Sequence, residues 1–143
     1  MRLVVDASVA VKWLVEEEQS ELAEHLFEGA HDLHAPRLMV SEVSNALRTK
    51  VRRHQIRHDE AEVLVSAIAG MPLRWFGDEH ICADAVRLAL ALDRPTYDCT
   101  YLALGHRLGA TLVTADIRFM DAVRMAGYGG SIMALESFKT DMQ

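Results

Sequence analysis

Four acidic residues stand where a carboxylate could do chemistry: Asp6, Glu42, Asp98 and Asp116. Asp6 follows Leu3-Val4-Val5, a short apolar run of the kind that suits a parallel strand buried on both faces. Asp116 follows Leu112-Val113-Thr114 in the same way. In a parallel sheet both acids land on one edge, and the crevice past the strands' carboxyl ends is where ligands bind in open α/β sheets. Asp98 lies within the first turn after Pro95, and helix N-termini in such a sheet point toward that same edge. Glu42 adjoins the apolar positions Val43 and Ala46 of a helix, where a charge must find a partner or a metal. Each acid also has a plainer role. Asp6 or Ser8 can cap the following helix, Asp98 can favour the helix dipole, and Glu42 can sit on a solvated flank beside Asn45 and Thr49.

Carboxylates that converge without cations repel one another, and at least one pKa rises. A divalent metal removes that conflict. Oxygen-only ligands with open positions suit Mg²⁺ or Mn²⁺, which keep waters and bind through a few carboxylates plus substrate phosphate. Such a site activates water and stabilises charge on a phosphoryl oxygen, so the expected reaction is hydrolysis of a phosphodiester.

The elements that must carry these acids are readable from pattern. Ser8 opens a helix through Val11 and Leu14 that breaks up in Glu16-Glu17-Glu18. Ser20 is expected to cap a second helix with Leu22, Ala23, Leu26 and Phe27 as its stripe and Gly29 at its end. A short strand over Asp32 to Ala35 precedes a third helix with Pro36 at its start. Met39, Val43, Ala46, Leu47 and Val51 form its inner face as far as about His54. Asp59 caps a fourth helix that stops at Gly70 and Pro72, and Leu73 to Phe76 form a strand. A fifth helix covers Glu79 to Leu92. The sixth runs from Pro95 to Leu108 with Gly109 as a left-handed cap. Strand Thr111 to Thr114, helix Asp116 to Ala126 and strand Ser131 to Leu135 complete the chain. Strands alternating with helices imply an α/β fold with a mostly parallel sheet covered on both faces.

The totals agree with one globular domain over residues 1–143. Cys82 and Cys99 lack metal-ligand spacing and read as reduced, buried residues of a cytoplasmic protein. The longest apolar run, Leu88 to Leu92, is far too short to span a membrane, and no signal peptide is expected before the first strand. A net charge of −6 disfavours a general nucleic-acid coat but not a nuclease, whose metal-binding acids themselves push the charge negative. The seven histidines show no ligand spacing; His31 and His34 flank a strand, and His54 and His58 read as surface residues.

Four motifs, in order, carry a resemblance: Val-Val-Asp-Ala-Ser at the start, Ser-Glu-Val-Ser-Asn-Ala-Leu around Glu42, Tyr-Asp-Cys-Thr-Tyr-Leu-Ala-Leu around Asp98, and Leu-Val-Thr-Ala-Asp-Ile-Arg-Phe around Asp116. Together they resemble PIN-domain proteins, most closely the VapC-type toxins of toxin–antitoxin pairs. The resemblance covers nearly the whole chain. It implies a three-layer α/β/α fold with a five-stranded sheet in which the strands ending at Asp6 and Asp116 are neighbours. It also implies an Mg²⁺- or Mn²⁺-dependent endoribonuclease acting on structured RNA such as tRNA or rRNA, held in check by a cognate VapB-like antitoxin and forming a homodimer. Asp6, Glu42, Asp98 and Asp116 match the family's acidic quartet, with Asp6 and Asp98 as principal metal ligands and Glu42 and Asp116 completing the site. Ser8 and Thr114 match its supporting hydroxyls. Cys99 departs from the pattern, where a small residue such as alanine is usual. Asp121, one turn past Asp116, is a further acid whose plainer role is a solvated helix residue.

Arg48, Lys50, Arg52, Arg53 and Arg57 form the only dense basic stretch. Arg53 falls eleven residues past Glu42, nearly on the same helical face and roughly 16 Å along, so Arg48, Arg52 and Arg53 could guide an RNA backbone toward the acids. The same cations would also complement the helix's C-terminal dipole. Trp13, Leu14, Leu22, Leu26 and Phe27 offer more large apolar surface than a small core need absorb, in the region where the family receives its antitoxin. Two rival readings remain: an RNA-processing PIN nuclease without an antitoxin, and a catalytically silent RNA- or protein-binding module. The presence of all four acids argues against the second. A receiver-type or phosphatase domain fits worse, because Ser8 stands where its Asp-x-Asp motif needs a second acid.

Overall fold

The computed structural model describes residues 1–142, with side chains described to residue 139. The elements follow the chain as β1 (Arg2–Val5), α1 (Ala7–Leu14), α2 (Ser20–Glu28), β2 (Asp32–Pro36), α3 (Leu38–Arg52), α4 (His58–Ala67) and β3 (Arg74–Phe76). Then come α5 (Cys82–Leu92), α6 (Thr96–Leu108), β4 (Thr111–Thr114), α7 (Ile117–Met125) and β5 (Ile132–Ala134). The strands form one sheet in the order β3-β2-β1-β4-β5, and every pairing is parallel.

β1 lies at the centre because its residues can be buried on both faces. Leu3, Val4 and Val5 are each 0% exposed, as are Leu112 and Val113 opposite them in β4. The helices pack in two groups, α1 against α2 and α3 with α4 on α3, and separately α5 against α6. Right-handed crossovers put these groups on opposite faces of the sheet. The chain leaves β1 toward β2 on one side, whereas β4 pairs with β1 on the other side and leads on to β5. That reversal opens a crevice at the carboxyl ends of β1 and β4. Gly109 ends α6 at φ 63, where a Cβ would be strained, and its N–H caps the Gly105 carbonyl.

Several local expectations are corrected. Ser20 does not cap α2; Gln19 does so in a left-handed conformation, φ 66, without a side-chain bond. The Ser20 hydroxyl instead accepts from the Glu17 N–H and donates to the Val15 carbonyl, closing the preceding turn. Pro36 is the last residue of β2, and α3 starts two residues later. α4 starts at His58, ahead of Asp59, with the Glu60 carboxylate accepting from the Arg57 N–H while Asp59 pairs with the Arg57 guanidinium. Asp78–His80 form a short 3₁₀ turn, so α5 begins at Cys82. Cys82 is therefore exposed at a helix start, contrary to expectation, while Cys99 is buried in α6. His34 lies within β2 and bonds Asp32.

The apolar side chains of α1 and α2 are largely spent on each other. Leu22 and Leu26 are buried, the Trp13 and Phe27 rings lie 4.2 Å apart, and the Trp13 indole N–H donates to the Ala23 carbonyl. No helix among the described residues is long and apolar enough to cross a membrane.

Because Leu112 is fully enclosed between β1 and β5, Leu112→Ala is expected to cost about 2–5 kcal/mol. Val63→Ala, at a position 71% exposed, should change stability by less than about 0.5 kcal/mol. Urea unfolding of both variants checks the contrast.

Candidate active site

Asp6, Glu42, Asp98 and Asp116 all line one pocket of about 120 Å³, together with Ala7, Ser8, Tyr101 and Phe119. The acids reach it from four different elements. Asp6 is the junction of β1 with α1, and it does cap that helix: its Oδ1 accepts from the Val9 N–H at 3.3 Å. The capping role and the site position thus coexist in one side chain. Ser8 Oγ donates to the same oxygen at 2.5 Å and accepts from the Ala115 N–H at 2.9 Å, so one hydroxyl joins the exits of β1 and β4. Thr114, fully buried at the end of β4, accepts from the Asp116 N–H. Asp116 caps α7 through an Oδ1 that accepts from the Phe119 N–H at 3.1 Å.

Asp98 lies in the first turn of α6, and its Oδ2 accepts from Arg94 Nη2 at 3.3 Å. Glu42, half-buried in the second turn of α3, is not left to solvent, because the buried Tyr101 hydroxyl donates to its Oε1 at 2.5 Å. Tyr101 and Arg94 are the two polar residues of this centre that pattern reading passed over. Their signal was positional: Tyr101 is three residues after Asp98 on the same helical face, and Arg94 is four before it.

Burial pushes the Asp6 carboxyl up from 3.8 to about 6, with the nearby Asp116 charge adding to the rise and the Ser8 hydrogen bond opposing it. Burial also raises Glu42 and Asp98; Asp98 charge adds to the rise at Glu42, and Asp116 charge to that at Asp98. Tyr101 lowers Glu42 and Arg94 lowers Asp98 by stabilising their charged forms. These couplings are the repulsion expected of converging carboxylates.

The donor set fits a hard divalent cation of modest protein coordination. Among the described residues no three Asp, Glu, His or Cys side chains close round a point as a finished cage. Glu42, Asp98 and Asp116 instead each commit one oxygen to a protein donor and keep the other, Glu42 Oε2, Asp98 Oδ1 and Asp116 Oδ2, while Asp6 is held by the Ser8 and Thr114 hydroxyls and the Val9 N–H. Fixed carboxylates with spare oxygens around a pocket that holds only a few waters suit an Mg²⁺-like ion that retains water and shares its shell with substrate phosphate.

The basic residues separate. Arg48 and Arg52 line a larger groove of about 420 Å³ between α3 and α4, with Leu47, Val51 and Val65 as its apolar floor. Arg53 closes α3 and is exposed. Lys50 is drawn away to Glu17, which it shares with Lys12, and Arg57 is held by Asp59. Asp121 is exposed and does not line the pocket.

Two outcomes follow from this geometry. The folded-state pKa of Asp6 lies above its unfolded value of 3.8, so the folded protein holds this proton more tightly and loses stability as pH rises from there to about 6. Asp6→Asn removes that charge. In EDTA at pH 7 it should be more stable than the parent by roughly 1–3 kcal/mol, with the advantage gone below about pH 4 in urea titrations. Tyr101→Phe deletes the donor that lowers Glu42, and the acidic limb of any pH–rate profile should move to higher pH while thermal stability falls by about 1 kcal/mol. An unmoved limb would mean that Glu42 carries no part of the reaction.

Comparison with known proteins places the chain. A profile of the PIN domain family matches residues 3–124. The chain is 36% identical over 118 residues to Ribonuclease VapC3 of Pyrobaculum aerophilum, covering 81% of this chain and 90% of that protein. Its fold is shared with VapC20 of Mycobacterium tuberculosis, a sarcin–ricin loop cleaving toxin, at TM-score 0.65 and 18% identity over 84% of this chain and 94% of that one. It is shared too with VapBC2 of Rickettsia felis, solved bound to a promoter DNA fragment, at TM-score 0.66 and 11% identity over 94% and 98%. With the profile spanning most of its length and the acidic edge in place, the chain belongs to the PIN domain family.

Proposed function

We propose that this chain is a VapC-type endoribonuclease that uses Mg²⁺ or Mn²⁺ to hydrolyse phosphodiester bonds in structured RNA and is neutralised by a cognate VapB-like antitoxin. The observation that carries the reading is the pocket itself: carboxylates from four separate elements line it, and three of them, Glu42, Asp98 and Asp116, are held through one oxygen and free at the other. The likeness to Ribonuclease VapC3 supports a ribonuclease, and the VapBC neighbour supports an antitoxin partner. A homodimer working in the cytoplasm completes the reading.

Asp6 and Asp98 would be the principal ligands of the ion, with Glu42 and Asp116 completing its shell. A bound divalent ion supplies positive charge against a phosphoryl oxygen and makes water more acidic. The chain's own contribution is orientation. Ser8 and the α1 backbone hold Asp6, the α7 backbone holds Asp116, and Tyr101 holds Glu42. Phe119 and Ala7 add apolar wall to the pocket. Positioning of this kind is most of what phosphoryl chemistry asks of a protein.

The test is cleavage of a panel of structured RNAs by purified, partner-free protein in Mg²⁺, Mn²⁺ and EDTA, beside Asp98→Asn. Discrete fragments that require the metal and fall by more than about 100-fold in the variant are expected, a loss beyond that from disturbing a ligand's supports. Cutting that persists in EDTA or in the variant would exclude this mechanism. Silence across the panel would favour a binding module.

A further inference from the structure

Resting on the nuclease reading above, we infer that Arg94 is an RNA-phosphate ligand of the active site, parked on Asp98 in the free protein. A polyanion approaching this pocket meets four carboxylates. Among the described residues, Arg94 is the one cation with a hydrogen bond, ion pair or ring contact to a side chain lining it. Its Nη2 reaches Asp98, and its guanidinium carbon lies 5.7 Å from the centroid of the Phe119 ring.

The present pairing uses the side chain poorly. A guanidinium offers five N–H donors in a planar fork suited to bidentate binding of carboxylate or phosphate. Arg94 makes a single side-chain hydrogen bond, at 3.3 Å, outside the range of about 2.7–2.9 Å that charged pairs favour. Its Nε is buried with no acceptor, an uncommon condition for a native polar atom. The fork therefore has unmet capacity on the Nε–Nη2 edge, the edge whose spacing matches two oxygens of one phosphate.

The backbone fixes where this side chain starts. Asp93 adopts a left-handed conformation, φ 53, uncommon for a residue with a Cβ, and Pro95 fixes the next residue at φ −55. Between them the Arg94 N–H caps the Ala89 carbonyl at the end of α5. The guanidinium is thus delivered beside Asp98 and Phe119, two residues that line the pocket, while the side chain remains 27% exposed. A cation arriving at Asp98 competes with Arg94 for the same carboxylate and repels it. The displaced guanidinium then meets the phosphate that enters with the ion. The arrangement keeps Asp98 compensated before substrate binds and supplies a positive group when substrate arrives.

The test measures binding rather than turnover. A fluorescein-labelled RNA hairpin with a single-stranded loop of mixed sequence is titrated by anisotropy in Ca²⁺ at several KCl concentrations, and gels verify that it stays intact. Wild type, Arg94→Gln and Arg94→Lys are compared, with Mn²⁺ affinity of each read separately by electron paramagnetic resonance. Arg94→Gln is expected to weaken RNA binding about tenfold, the size of one charge-assisted hydrogen bond, and to lower the salt slope by about 0.7. Arg94→Lys should keep the slope with intermediate affinity, and it serves as the decisive variant should the glutamine form fail to fold. Mn²⁺ affinity should be unchanged or tighter in both.

Unchanged RNA affinity and slope in Arg94→Gln, or an RNA defect that simply follows weaker Mn²⁺ binding, overturns the proposal by confining Arg94 to Asp98. The nuclease reading survives that result as long as the wild type still cuts RNA in Mn²⁺. Wild type that binds no RNA overturns both.

Discussion

The parallel pairing of β1 with β4 is the constraint on which the site depends. Val5 lies opposite Val113, so Asp6 and the Thr114–Asp116 segment emerge side by side from strands that are far apart in the chain. Ser8 Oγ then spans the two exits, donating to Asp6 and accepting from Ala115. A slip of one residue in β4 would send each of its side chains to the opposite face of the sheet and break this bridge, so the packing of Leu3, Val4, Leu112 and Val113 is what holds the acids in register.

Gathering carboxylates at that edge works against folding. Burial and mutual charge raise Asp6, Glu42 and Asp98 above their ordinary ranges, a strain that a bound cation would relieve. The local answer is to give each acid at least one protein donor without using up the oxygens of the set. Ser8, Tyr101, Arg94 and the backbone N–H of Phe119 divide that task. A fully satisfied set of carboxylates would be more stable and unable to hold an ion, the usual opposition between stability and activity at a functional site.

The features that read poorly from the chain share a physical cause. Ser20 looked like a cap because of its residue type, yet the Glu17 N–H and Val15 carbonyl of the preceding turn were nearer partners for its hydroxyl. Cys82 looked buried because it sits in an apolar helix, but the 3₁₀ turn at Asp78–His80 moved the helix start to it and left it facing water. In each case competition between nearby partners settled the outcome.

What the chain alone determined was the periodic and the local. Apolar runs ending in an acid placed Asp6 and Asp116 at strand exits, Pro95 placed Asp98 in a first turn, and Gly109 marked a left-handed helix end, because these depend on backbone preference over a few residues. Tertiary structure alone decided that Tyr101 holds Glu42 across 59 positions of sequence, and that one serine joins Asp6 to Ala115. It also set Arg94 against Asp98 and the Phe119 ring. Those contacts form only when non-adjacent strands pair and α3 and α6 are brought together over the sheet's carboxyl edge, a proximity that no local preference encodes.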